Sequence, residues 1–242
     1  MRSTNRLTTL DLTLTALFTA LYAVLSFLPL SQVIGFFSKV ITAANVAAPV
    51  IGMILGVYLG SISTLFGGII ALFFNPLFSP MGLAAGVVTA LCAGLLYSRR
   101  RFACAFIYFS LLFMFAFYPL AGPVWLYPPL LWFQLVGFII LVSPIQSVAL
   151  KNLNSDANIK ALFSFFLIFL TATLAGQIAG SLIFEFISWP LTVNTDVLKG
   201  IWQATTLIYP IERTLIAFGA ALLGLPIHRI LVSTSFLKAH KS

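Results

Sequence analysis

The stretch ALFSFFLIFLTATLAGQIAGSLIF, Ala161 to Phe184, carries no charged side chain. Roughly 20 residues of α-helix cross the ~30 Å hydrocarbon core of a bilayer. In lipid a helix satisfies its own backbone and needs no polar coat. Comparable runs recur throughout the chain, and only 13 basic and 5 acidic side chains interrupt its 242 residues. With 61% hydrophobic residues and a mean hydropathy of +1.09, it cannot assemble a water-soluble surface. The pattern specifies an all-α, polytopic transmembrane bundle, a single membrane domain over residues 1–242.

Apolar segments fall at Leu10–Leu30, Val46–Leu59, Ser61–Leu77, Met81–Tyr97, Ala103–Leu120, Pro129–Leu150, Ile159–Ile187 and Ala204–Leu231. The second is short for a crossing, so Val46 to Leu77 could instead form one long, broken span, giving seven helices. Charge separates the two counts. Eight crossings from a cytoplasmic N-terminus gather Arg2, Arg6, Arg99–Arg101, Lys151, Lys160, Arg229, Lys238 and Lys241 inside. They leave Lys39 and Lys199 outside. Seven crossings would expel the SRRR cluster at Ser98–Arg101. The positive-inside rule favours eight helices, both termini cytoplasmic, in the cell membrane. The first run is too long for a signal-peptide core and reads as a retained helix.

Glycines recur at Gly52, Gly56 and Gly60, and again at Gly176 and Gly180. Small residues at this spacing let helix backbones approach closely in lipid, here mainly for internal packing. The turn of the second and third segments is expected at Tyr58–Ser63. Cys92 and Cys104 lie in apolar segments and read as packing residues. Trp125, Tyr127, Trp132, Trp189 and Trp202 read as an outer aromatic belt, with a role at the rim of a site as the alternative.

The residue sets that intramembrane chemistry requires are missing. Five dispersed carboxylates cannot form paired magnesium-holding motifs. H-E-x-x-H and G-x-x-x-x-G-K are both absent. The two histidines, His228 and His240, read as interfacial residues near the C-terminus. No metal or cofactor is implied, and the chain reads as a non-enzyme.

Polar side chains inside a membrane are costly and normally face a cavity or each other. Here they gather in the outer half: Asn45, Asn75, Gln134, Gln177, Glu185, Glu212 and Arg213. That clustering points to a pocket entered from outside; separate interhelical hydrogen bonds are the alternative. Glu212 and Arg213 are adjacent and therefore point about 100° apart on a helix, so each needs its own partner. Arg213 is expected to meet an anionic or carbonyl group of a ligand, or else to bridge to Glu185.

The first helix, LTLTALFTALYAVLSFLP, carries Ala16-x-x-x-Ala20 after a basic N-terminus. An outer loop, the Gly-rich hairpin APVIGMILGVYLGSISTLFGGIIALFF and a helix ending in arginines follow. This order resembles the substrate-binding S components of energy-coupling factor (ECF) transporters. The resemblance implies capture of a vitamin or similar micronutrient, with energy from partner ATPases. It also implies that Ala16 and Ala20 pack on a separate transmembrane coupling protein. The family typically has six helices, and Ala103–Leu150 reads as a hairpin inserted between its fourth and fifth. Residues 1–102 then hold the first four helices and 151–242 the last two. A self-contained secondary transporter and a non-transporting scaffold are the competing readings.

Overall fold

The computed structural model describes residues 8–33, 39–191 and 194–233, with the side chains of residues 189–191 outside that description. Arg2, Arg6, Lys238, His240 and Lys241 therefore lie outside the described residues. Within them the fold is an all-α bundle with one short ribbon.

Helix α1 (Thr9–Leu25) begins with a capping box. The Thr8 hydroxyl accepts from the Asp11 N–H, and the Asp11 carboxylate accepts from the Thr8 N–H at 2.9 Å. The helix ends at Leu25, short of the expected Leu30, because Pro29 cannot continue it and opens strand β1 (Pro29–Gln32). β1 pairs antiparallel with β2 (Val40–Thr42), with Ser31 opposite Ile41.

Helix α2 (Ala44–Phe74) doubles back on itself at Gly56, where φ is 78° and ψ is −170°. Only glycine occupies that region readily. A Cβ added at Gly60 would sit 2.9 Å from the Gly52 Cα. In a continuous helix those positions would be about 12 Å apart. Two antiparallel arms result, 44–55 and 57–74. The expected hairpin is present, but it turns at Gly56 and not at Tyr58–Ser63, because φ selects the glycine that can adopt it.

Helix α3 (Pro80–Tyr97) starts where the Ser79 hydroxyl accepts from the Gly82 N–H at 3.2 Å. It packs backbone to backbone on both arms of α2: Gly52 meets the Ala90 carbonyl, and Gly94 meets Val57. Helix α4 (Arg101–Ala116) is followed by α5 (Pro123–Leu126), a 3-10 turn (Pro128–Leu131), α6 (Trp132–Val142) and α7 (Pro144–Lys151). The single crossing expected over Pro129–Leu150 is thus broken, with a 61° bend between Val142 and Pro144. Pro144 removes a backbone donor there. The Ser143 hydroxyl donates to Ile140 O, the carbonyl that Pro144 leaves without its helical donor, at 2.9 Å. The Arg101 guanidinium spans the break, donating to Val142 O at 2.8 Å and Ser143 O at 3.3 Å, and also to the Ser147 hydroxyl.

Helices α8 (Asn158–Leu191) and α9 (Thr195–Ser233) both exceed their expected bounds. α8 is the central helix. Gly176 lies against Thr89 and the Ala85 carbonyl, and Gly180 against the Met81 carbonyl, so this glycine pair serves internal packing. Through α4 and α6 the hairpin region joins the same core, with Tyr108 donating to Gln134 O at 2.8 Å and Gly137 touching Leu174. Cys92 and Cys104 are both buried and unbridged.

By length and apolarity four described helices suffice to cross a membrane, Ala44–Phe74, Pro80–Tyr97, Asn158–Ser188 and Thr195–Ser233, or five with the bent pair. This is a multi-pass helical membrane protein. Length alone counts α2 once, whereas its two arms traverse the bundle in opposite directions. The elements then alternate between two faces. One carries the ribbon, the start of α3, the α4–α6 connection and the start of α9. The other carries the start of α1, the Gly56 turn, Arg99–Arg101 and the end of α9.

On this arginine face His228 is buried, not interfacial as its position near the chain end suggested. Its Nδ1 pairs with the Tyr97 hydroxyl and its Nε2 with Asn154 Oδ1, both at 2.8 Å. On the ribbon face Trp125 and Trp132 are exposed, as an interfacial belt requires. Trp202 is not part of that belt. It lies inside α9, buried against Phe115 and Phe184, and donates to Ala121 O at 3.0 Å. The side chain of Trp189 lies outside the described residues.

Candidate functional site

The ribbon roofs a cavity of about 50 Å³ on the ribbon face of the bundle. Val33, Val40 and Ile41 form the roof, and Phe184 closes one wall. The floor and remaining walls set polar groups among apolar ones. α2 contributes Asn45 from its first turn, and the start of α3 contributes Ser79, Met81 and Gly82. α8 supplies Gln177 and Ser181, one helical turn apart, and α9 supplies Tyr209 and Arg213 at the same spacing. A cavity of this size holds water molecules, not a vitamin-sized molecule. Entry of a larger ligand requires the ribbon or the walls to move.

Arg213 is the chemical centre of the cavity. It is 6% exposed, and among the described residues no salt bridge or hydrogen bond reaches its guanidinium. The Tyr209 ring lies 5.7 Å from it, close enough for a cation–π contact. The bridge to Glu185 considered from the sequence is not formed. Gln177, 4% exposed, likewise has neither its amide nitrogen nor its oxygen paired. Asn45 donates to Thr42 O at 3.3 Å, which ties the first turn of α2 to β2.

The other four polar residues expected at the site lie elsewhere. Asn75 closes the end of α2, donating to Ser26 O at 2.7 Å and accepting from Leu77 N at 3.0 Å. Gln134 is buried on α6 beside Tyr108. Glu185 is fully buried on α8 outside the cavity lining, and both carboxylate oxygens lack donors among the described residues. Glu212 accepts from the Ser31 hydroxyl and faces a separate apolar groove lined by Leu30, Ile41, Val46, Leu215 and Ile216. Ile41 forms part of both walls, so it stands between groove and cavity.

Ser79, Ser181 and Tyr209 were not anticipated. Ser181 follows Gln177 by four residues and Tyr209 precedes Arg213 by four, which places each pair on one helix face. Ser79 before Pro80 is a helix-start signal. Those spacings could have found them. Ala16 and Ala20 are exposed on α1, on the side away from the α2 contacts made by Thr15 and Thr19.

No protein-family model, no curated protein and no solved structure matches this chain.

Proposed function

We propose that this chain is the substrate-binding membrane subunit of an ECF-type uptake transporter for a vitamin or similar small micronutrient. The observation that carries the reading is the roofed cavity, which joins Asn45, Gln177 and Arg213 beneath a ribbon at the face with few basic residues. Burying unpaired polar groups such as those of Gln177 and Arg213 at membrane depth is expensive, and their place around a void supports a role in holding a ligand. The exposed Ala16 and Ala20 offer small side chains one turn apart, where a coupling protein can pack closely on α1. In this reading the ribbon face is extracellular, the arginine face and both termini are cytoplasmic, and ATPase subunits supply the energy.

Affinity purification from the native source, with mass spectrometry of ligand and co-purifying chains, tests the assignment. A transmembrane coupling protein and ATPase subunits are the expected companions. Uptake by this chain alone, without them, overturns it.

A second reading has one observation in its favour. Glu185 is a fully buried carboxylate without a donor among the described residues, a group that an ion-coupled carrier could use. Under that reading a protonophore abolishes uptake in ATP-replete cells, and Glu185→Gln uncouples it. Under the ECF reading, ATP depletion does so with the proton gradient intact.

A further inference from the structure

Three features of the cavity favour negative charge, and among the described residues no carboxylate lines it. The first is the buried Arg213 guanidinium, without a salt bridge among the described residues. The second and third are the N-terminal turns of α2 and α3, which reach the cavity through Asn45 and through Ser79, Met81 and Gly82. Helix N-termini carry partial positive charge and unpaired N–H groups. In α3, Pro80 has no N–H, Ser79 accepts from both Gly82 and Leu83, and the Met81 N–H has no partner among the described residues. Helix N-termini at membrane depth commonly face anionic substrate groups. The nearest acid in sequence, Glu212, is turned into another groove and engaged by Ser31.

We infer that the ligand of this cavity is a small organic carboxylate, its charged end held by Arg213 between the N-termini of α2 and α3. The inference rests on the cavity being a solute site, and it decides between the anionic and carbonyl groups that Arg213 could meet. A neutral carbonyl ligand would leave the buried guanidinium without a direct ionic partner; a carboxylate pairs with it through charge-assisted hydrogen bonds, which the guanidinium fork can make in bidentate fashion. Gln177 offers its amide N–H donors and its carbonyl acceptor to a polar substituent of the ligand. Phe184, Val40 and Ile41 offer apolar contact to its body.

The test compares matched acid and amide pairs on the full chain purified in detergent. Propionate is set against propionamide and nicotinate against nicotinamide, with the shift in thermal midpoint and the Kd as readouts. At least one acid is expected to stabilise the protein and to bind ten-fold or more tightly than its amide. Arg213→Gln should erase that preference, whereas Glu212→Gln should keep it. Amides binding as well as their acids, or an undiminished acid preference in Arg213→Gln, would overturn the inference. The wild-type comparison decides even if Arg213→Gln fails to fold. Because binding is read on the isolated subunit, it is independent of the partner test. Acid preference without ATPase partners defeats the ECF reading alone, and ATPase partners without acid preference defeat the carboxylate alone.

Discussion

Glu212 and Arg213 are neighbours in sequence that serve different surroundings. Their side chains leave α9 about 100° apart, one toward Ser31 and the apolar groove, the other toward Tyr209 and the cavity. On the opposite face His228 links Tyr97 and Asn154 across three separate parts of the chain. His228→Ala removes both bonds and leaves the Tyr97 hydroxyl without that partner. A loss of about 1–3 kcal/mol follows from two hydrogen bonds at about 0.5–1.5 kcal/mol each, read as a lower thermal midpoint in detergent with ligand affinity unchanged. An unaltered midpoint would deny His228 this role. Asn45, Gln177 and Arg213 were legible because a polar residue in an apolar run has a cost that demands a reason. Asn75, Gln134, Glu185 and Glu212 send the same one-dimensional signal from other places. Only the packing of α2, α6, α8 and α9 fixes which way each one turns.

Among the elements, the ribbon was the least legible. Leu28 and Leu30 are apolar, so they extended the reading of α1 past the point where Pro29 ends it. The α2 hairpin was foreseen from its glycines, but its turn was placed too late because only backbone geometry distinguishes Gly56 from Gly60. Gly56 and Gly52 predict different outcomes. At Gly56 an added Cβ meets nothing within 4 Å, so Gly56→Ala costs only the strain of its backbone, about 1–3 kcal/mol. At Gly52 the same methyl group would collide with the Ala90 carbonyl oxygen, so α2 and α3 must separate. Thermal unfolding of both variants should therefore rank Gly52→Ala as the more damaging. The reverse order would contradict the close packing of these helices. Arg101 shows how a residue can carry two signals at once. Its charge was readable as a topology marker, but its capping of the broken α6 end was not.

At the scale of the whole molecule, the alternation of elements places Ser98 and Thr195 on opposite faces. In the orientation proposed above, the Ser98 face is the cytoplasmic one. In intact cells an impermeant thiol reagent should label Thr195→Cys and spare Ser98→Cys until the membrane is opened; labelling of Ser98→Cys from outside would invert the assignment. The outward position of Ala16 and Ala20 makes a further prediction. Ala16→Trp and Ala20→Trp leave the interior untouched, so the isolated subunit should bind its ligand within about two-fold of wild type, since substitutions away from the core change stability by ~0.5 kcal/mol or less. Assembly with a coupling protein should be lost, as measured by co-purification. Equal loss of both properties would assign these alanines to internal packing. The fold-back at Gly56 also bears on how the chain is made. The 44–55 arm is about 18 Å long at 1.5 Å per residue, well short of the ~30 Å core. During synthesis it cannot be stably inserted alone. The two arms are therefore expected to enter lipid as a pair, folded together at Gly56.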